Sequence, residues 1–256
     1  ANVNDEVVLA TNIGMTVSEG TLNSVIGRLK LETTDIDNTP DQIVYTLTSV
    51  PGTGWLRLNG TLLSNGGTFT QADINANLLT YDHNDAEVFT DSFSFSVDDG
   101  SGTSTSGSFA LTITPVNDNT PIMTSNGGPA DAALNIAENS TAVTTVMATD
   151  ADLPTQTLTF NIVGGLDAGR FTIVSGSGVL TFATAQDFEN PTDSNADNVY
   201  EVIVEVSDGQ GLTSQQTIRV TATDVNEFPV TAPVDADLVT NQVAENSAIG
   251  TLVGIT

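Results

Sequence analysis

The sequence predicts an all-β chain built from tandem β-sandwiches joined end to end. Three observations carry that reading. Apolar and polar residues alternate over short runs, clusters of Gly, Asn, Asp and Pro separate the runs, and a set of acidic landmarks recurs at a period near 110 residues. The alternation is plain at Phe93-Ser-Phe95-Ser-Val97, Phe109-Ala-Leu111-Thr-Ile113, Leu158-Thr-Phe160-Asn-Ile162, Val202-Ile-Val204-Glu-Val206 and Ile218-Arg-Val220. Period two places one set of side chains on each face of a strand, so each run reads as a half-buried strand of an antiparallel sandwich. The turns between them include Asp99-Gly-Ser-Gly102 and Asp208-Gly-Gln-Gly211. Helix is nearly absent, and the one candidate is a turn over residues 71–75 entered through Thr70 as an N-cap.

The repeat sets the domain boundaries. Asn4-Asp5 recurs as Asn117-Asp118 and as Asn226-Glu227, at spacings of 113 and 109. Val17-Ser-Glu19 recurs as Ile136-Ala-Glu138 and Val243-Ala-Glu245, Asp35-Ile-Asp37 as Asp150-Ala-Asp152, and Val97-Asp-Asp99-Gly as Val206-Ser-Asp208-Gly. These recurrences divide the chain into a linker at 1–5, domains at 6–117 and 118–227, and the opening strands of a third repeat at 228–256.

Composition narrows the function. Of 256 residues, 5 are basic and 32 acidic, for a net charge of −27. Nucleic acid is excluded as a partner, because a phosphate backbone needs Lys and Arg to displace its counterions, and anionic membrane surfaces are disfavoured on the same ground. Membrane insertion is not expected, since the apolar runs are too short to span a bilayer, and the first thirty residues show no basic segment followed by an apolar core. The absence of cysteine removes thiol catalysis, disulfides and thiolate metal sites and leaves oxygen ligands as the available metal chemistry. The abundance of Val, Ile, Leu, Thr and Phe argues for folding despite the acidity.

The ordered motifs of residues 120–229 resemble a cadherin repeat of the bacterial kind: Ala137-Glu138-Asn139, Ala148-Thr-Asp150-Ala-Asp152, Gln186-Asp187-Phe-Glu189-Asn-Pro191, Val206-Ser-Asp208-Gly209 and Asp224-Val-Asn226-Glu227. The first domain resembles the cadherin-like repeat of NG2-type proteoglycans, through Val44-Tyr-Thr-Leu47, Phe69-Thr-Gln-Ala-Asp-Ile74, Leu79-Thr-Tyr81-Asp-His83, Asp91-Ser-Phe-Ser-Phe95 and Val116-Asn-Asp118. The resemblance implies Greek-key, immunoglobulin-like sandwiches with calcium held at the joints between them. Calcium takes six to eight oxygens, which acids from two facing domains and a short Asn/Asp linker can supply together.

Carried over residue by residue, the resemblance implies three sites. At the joint of domains one and two, Asn117, Asp118 and Asn119 would come from the linker, Asp150, Asp152 and Asp208 from domain two, and Glu19 from domain one. The loop Asp82-His-Asn-Asp85-Ala-Glu87 would add a further ligand; Asp82 and Glu87 are named for it, and the choice among the loop's acids stays open because this loop is shorter than its counterpart at Asp187 to Glu189. At the second joint, Glu138, Asp187, Glu189, Asp224, Asn226 and Glu227 would form one half. At the N-terminus, Asn4, Asp5, Asp35, Asp37 and Asp99 would form the receiving half of a joint with a preceding domain. Pro115 stands where Asp224 stands in the second linker, which implies fewer ions at the first joint than the family's full set.

Each of these features has a plainer reading. An isolated Asp-Gly or Asn-Asp is usually a turn, and only the ordered set makes a ligand pattern. His83, the only histidine, reads as structural. Trp55 reads as half-buried core, with a sugar-stacking platform as the alternative. The acids recur with the domains and do not gather in one pocket, which argues against a glycosidase or any other enzyme. The expectation is an extracellular or cell-surface, calcium-stiffened adhesion or spacer segment of a larger secreted chain. Its partners would be neighbouring repeats, and like repeats on another molecule or extracellular polysaccharide. The alternatives are a calcium-dependent carbohydrate-binding module and a non-catalytic region of a secreted enzyme.

Overall fold

The computed structural model describes residues 4–128 and 131–227. The third repeat expected at 228–256 and residues 1–3 of the first linker lie outside the described residues. The first unit contains β1 (Val8–Asn12), β2 (Met15–Ser18), β3 (Ser24–Val25), β4 (Leu31–Thr34), β5 (Val44–Ser49) and β6 (Gly54–Leu58). It continues with β7 (Thr61–Leu62), β8 (Thr68–Thr70), α1 (Gln71–Asn75), β9 (Leu79–His83), β10 (Thr90–Asp98) and β11 (Ser104–Thr114). The second unit contains β12 (Ile122–Met123), β13 (Ala132–Ala137), β14 (Ala142–Thr145), β15 (Ala148–Thr149) and β16 (Thr159–Gly164). It ends with β17 (Phe171–Ile173), β18 (Val179–Phe182), β19 (Val199–Ser207) and β20 (Thr213–Thr223).

Alternation decides the two cores. Along β10, Phe93, Phe95 and Val97 are fully buried while the serines between them turn outward. Phe93 stacks on Phe109 at 5.2 Å and Tyr45 on Phe69 at 4.8 Å, so aromatic rings fill the first core. In β19, Tyr200, Val202, Val204 and Val206 point inward and meet Phe160, Phe182 and Val220 in a separate second core. Each such ring or branched side chain contributes roughly 1.5–3 kcal/mol by burial. Trp55 departs from the expectation of half-buried core. It lies on the outer face of β6 at 43% exposure, because the neighbouring Leu56 takes the inward position and the pleat sends Trp55 the other way.

The turn at α1 forms as its sequence predicts. Thr70 Oγ1 accepts the Asp73 backbone N–H and Asp73 Oδ2 accepts the Thr70 N–H, a reciprocal cap that satisfies two orphan donors. Its first residue, Gln71, reaches inward, where Oε1 accepts both the Thr33 N–H and the Tyr45 hydroxyl. Burial pushes that hydroxyl up to about 12, so it remains a donor.

One pairing departs from a purely antiparallel sandwich. The N-terminal segment pairs first with β4 through β1, then crosses to the other sheet, where β2 runs parallel to β11 with Val17 opposite Ile113. Gly14 makes the crossing: its φ is +70°, and a Cβ there would sit 2.5 Å from the Ala110 carbonyl oxygen. The second unit repeats the device, β12 pairing with β15 and β13 running parallel to β20. The consequence is functional. Because β2 and β11 run the same way, the residue after β2 emerges beside the linker that follows β11.

Candidate metal centre

That residue is Glu19. Its N–H donates to the Thr114 carbonyl at 2.9 Å, and its carboxylate Oε2 accepts the Val116 N–H at 3.1 Å. Its other oxygen, Oε1, is buried without a hydrogen-bond partner, in a residue only 5% exposed. The second unit repeats the arrangement at Glu138, whose N–H donates to Thr223 and whose carboxylate accepts the N–H groups of Val225 and Phe188.

The loop after β9 closes over Glu19. His83 is buried, and its Nδ1 accepts the N–H of Gly20 at 3.2 Å and of Asp85 at 3.3 Å, so the ring proton belongs on Nε2. The contact is close enough that a Cβ on Gly20 would lie 2.6 Å from Asp85 Oδ1, and Gly20 has φ +64°. Two residues on, Glu87 spans the joint: Oε1 accepts the Asn119 side-chain amide at 2.7 Å and Oε2 accepts the Leu153 N–H at 3.0 Å.

From the second unit come Asp150, Asp152 and Asp208. Asp152 is 1% exposed, and its Oδ1 accepts the backbone and side-chain N–H groups of Asn119 at 3.1 and 2.9 Å. Asp150 Oδ1 accepts the Asp152 N–H at 3.0 Å, while Asp150 Oδ2 is buried and unpartnered. Asp208 Oδ1 accepts three successive N–H groups of its turn, Gln210, Gly211 and Leu212, and its Oδ2 accepts the Asn117 amide at 2.9 Å. The turn reading and the site reading of Asp208 are therefore compatible. Gln156 ties in by donating to Asn117 Oδ1.

Carboxylate oxygens converge to within 4.8 Å of one another in two overlapping sets, Glu87 with Asp118 and Asp152, and Asp150 with Asp152 and Asp208. Asp152 belongs to both. Burial, joined by the charges of Glu19, Asp152 and Asp118, raises the pKa of Glu87. Burial and the charges of Asp85 and Asp152 raise that of Asp118. Burial also acts to raise Asp208, but its N–H donors and the Asn117 amide outweigh it and hold that group low. The ion pairs among the described residues use Glu32, Asp82, Asp131, Glu201 and none of the joint's acids. Seven carboxylates thus crowd one joint, several of them buried, with no cationic side chain to offset them. Such a set repels itself unless a cation occupies it, and its all-oxygen donors suit a hard divalent ion.

The structure does not bring Asp82 to this group. Asp82 accepts the Arg57 guanidinium at 2.6 Å and the Asn23 N–H at 2.6 Å on the other face of β9, so its charge is already paired. Asp85 takes its place at the joint. The signal was present in the sequence, because Asp85-Ala-Glu87 repeats the spacing of Asp187-Phe-Glu189. Gln156 gave no such signal.

At the second joint, Glu138, Glu189 and Asp224 converge within 4.8 Å. The backbone N–H of Glu189 acts to lower its pKa, but burial and the charges of Glu138, Asp224 and Glu227 outweigh it and raise the group. Asp187 instead ties its own loop, accepting the N–H groups of Glu189 and Asn190, and Glu227 accepts the Asn139 amide. Asn226 lies between Asp224 and Glu227 in the linker. At the N-terminal end, Asn4 donates to Asp99 Oδ2, Asp5 N–H to Asp37 Oδ2, and Asp37 N–H to Asp35 Oδ1, the last as in Asp152 and Asp150. Hydrogen bonds from Ser101 and Asn4 hold Asp99 down to about 2. No converging set of three carboxylates forms there among the described residues.

Residues 7–113 match the family described as "Cadherin-like", and residues 133–223 match the family described as "Cadherin domain". The chain carries two tandem cadherin-like domains. It is 31% identical over 160 residues to the human extracellular matrix organizing protein FRAS1, covering 61% of this chain and 4% of that protein. It is 32% identical over 157 residues to Cadherin-5 of Gallus gallus, covering 57% of this chain and 18% of that protein. The chain therefore spans a small part of these relatives. Among solved structures, mouse Cadherin-23 EC22-24 superposes with a TM-score of 0.56 at 22% identity, covering 85% of this chain and 65% of that one. Protocadherin Gamma B7 extracellular cadherin domains 1-4 superpose with a TM-score of 0.60 at 18% identity, covering 98% and 59%. The fold of this cadherin-like pair is the immunoglobulin-like β-sandwich, in tandem. Cadherin-like domains are non-enzymatic, extracellular adhesion-type repeats, typically calcium-dependent. No helix among the described residues is long and apolar enough to cross a membrane.

Proposed function

We propose that this chain is a calcium-stiffened spacer or adhesion segment of a larger surface or secreted protein, with calcium at the joint around residues 117–119. Glu19, Asp85, Glu87, Asn117, Asp118, Asn119, Asp150, Asp152 and Asp208 are the proposed ligand set. Two ions fit the two carboxylate sets, with Asp152 shared between them, and the absence of a carboxylate at Pro115 agrees with a reduced number. Glu138, Glu189 and Asp224 are the proposed half-site for the next repeat, with Asp187, Asn226 and Glu227 beside them. Asn4, Asp5, Asp35, Asp37 and Asp99 are proposed to receive a preceding domain. A bacterial source and a proteoglycan-type first domain rest on the sequence resemblance alone.

The observation that carries the proposal is the set of seven carboxylates at one joint with no cationic side chain among them. Calcium shared between Glu19 and Glu87 on one side and Asp150, Asp152 and Asp208 on the other ties both domains to the same charges. The mechanical role follows from that tie. Calorimetric titration of the chain with calcium tests it: saturable binding of two ions at the first joint is expected, and a chain that takes up no calcium would remove the proposal.

A further inference from the structure

A second feature lies on the outer face of domain one, with Asn84 of its rim next in sequence to Asp85 of the joint. Trp55 stands 43% exposed beside a groove of about 330 Å³, at the small end of the range of small-molecule sites. Val50 and Pro51 form one wall and Leu62 the other, with Ser64 and Asn84 at the rim. The first wall is fixed in place, because the Asp91 carboxylate accepts the N–H groups of Gly52 at 2.8 Å and Thr53 at 3.1 Å together with the Tyr81 hydroxyl at 2.8 Å. The second wall is fixed by the Leu63 N–H, which donates to the Leu56 carbonyl at 2.8 Å. Asn84 and Ser64 are exposed, and their side chains make no hydrogen bond among the described residues.

Charge selects the occupant. Among the described residues no charged one lines the groove, although the chain carries 32 acids and 5 bases. An anionic ligand would meet the repulsion of a −27 chain, since Arg57, two residues on along the same face of β6, is already paired with Asp82, and a second copy of the chain would bring the same negative charge. An uncharged ligand with an apolar face and hydroxyl edges meets neither cost. The negative π-face of an exposed indole suits the weakly positive C–H face of a pyranose ring, and unpaired amide and hydroxyl groups at the rim suit its hydroxyls.

We infer that the Trp55 groove of domain one binds a neutral sugar unit of an extracellular polysaccharide. Trp55 is the only tryptophan of the sequence, so its emission reports on this groove alone. The test is a fluorescence titration of the whole chain, in calcium, with cellohexaose, maltohexaose and mannohexaose, and with an oligogalacturonate as the anionic probe. A saturable emission change with at least one neutral probe is expected, with Kd on the order of 1 mM. By calorimetry, Trp55→Ala is expected to weaken binding at least tenfold and Trp55→Phe, which keeps a ring on the same strand, by only a few-fold. Circular dichroism of both variants checks the fold. The inference is overturned if no neutral probe changes the emission up to about 10 mM, if oligogalacturonate binds as well as the neutral probes, or if folded Trp55→Ala binds undiminished. It is equally overturned if the emission changes with protein concentration alone and sedimentation shows a dimer, which would assign the groove to a second copy.

Discussion

Replacing Asp152 with asparagine should change the sign of its stability effect with the metal. Asp152→Asn keeps the shape of the side chain and an oxygen to accept the Asn119 N–H groups, but removes the one negative charge common to both carboxylate sets. Two like charges 4.8 Å apart repel by about 3.5 kcal/mol at an effective dielectric of 20. Asp152 faces Glu87, Asp118, Asp150 and Asp208 at about that range. Relaxation and salt reduce the sum, so removal of the charge should stabilise the metal-free chain by about 1–2 kcal/mol. In calcium the same change takes a charged ligand from two ions, and calcium affinity falls steeply as ligand charge is removed. A loss of about tenfold per ion, or about 1.4 kcal/mol, is expected, so the variant melts below the wild type when calcium is in excess. Paired thermal melts in chelator and in calcium, with calorimetry of calcium binding, measure both halves. Equal destabilisation in both buffers, or an unchanged calcium affinity, would refute the reasoning.

Other outcomes follow from the same geometry. Calcium at a hundredfold excess over Kd should raise chain stability by about 2.7 kcal/mol per site, reversibly with chelator; magnesium, which demands a tight octahedral shell, should do much less, and superimposable melts in calcium, magnesium and chelator would contradict this. Asp85→Ala should weaken calcium binding about tenfold or more, whereas Asp82→Ala should leave it unchanged and lower domain-one stability by about 1–3 kcal/mol through loss of the Arg57 pair; calorimetry and melts of the two variants distinguish them, and the reverse pattern would restore Asp82 to the site. In chelator, stability should rise as pH falls from 7 toward 5, because Glu87 and Asp118 have folded pKa values above their ordinary ones and the folded chain takes up their protons first. It should fall again between pH 4 and 2, where Asp99, held to about 2, and the likewise lowered Asp208 lose their contribution; a stability that only declines from pH 7 downward would contradict the first half.

Much of this was legible in the sequence for definite physical reasons. Strands such as β10 and β19 show because a period of two survives without any knowledge of their neighbours, and α1 shows because its cap lies entirely within Thr70 to Asp73. The parallel pairing of β2 with β11 was not legible. It joins residues 15–18 to residues 111–114, and nothing local to either segment announces a partner so far along the chain. The same holds for Gln156, whose contacts with Asn117 and Asp152 exist only once the joint is assembled. Asp82 and Asp85 lie only three residues apart, so composition cannot choose between them and the one signal is the spacing that Asp85-Ala-Glu87 shares with Asp187-Phe-Glu189. Strand β9 ends at His83, so Asp82 is still set by the pleat toward Arg57, while Asp85, beyond the strand, is turned to the joint by the His83 imidazole. Trp55 shows the same limit, since only its register in β6 reveals that it faces outward.

Calcium at the first joint is proposed to tie the two domains together. Small-angle scattering across a calcium titration tests it most directly, with the wild type and Asp152→Asn measured side by side. Without metal, residues 115–121 have little apolar surface to fix the pair, so a broad distribution of dimensions is expected. For the wild type, that distribution should collapse to a single extended form as calcium saturates the joint, and the variant should need about ten times more calcium to reach it. A wild-type chain whose maximum dimension and width of distribution stay the same from chelator to saturating calcium would contradict the account.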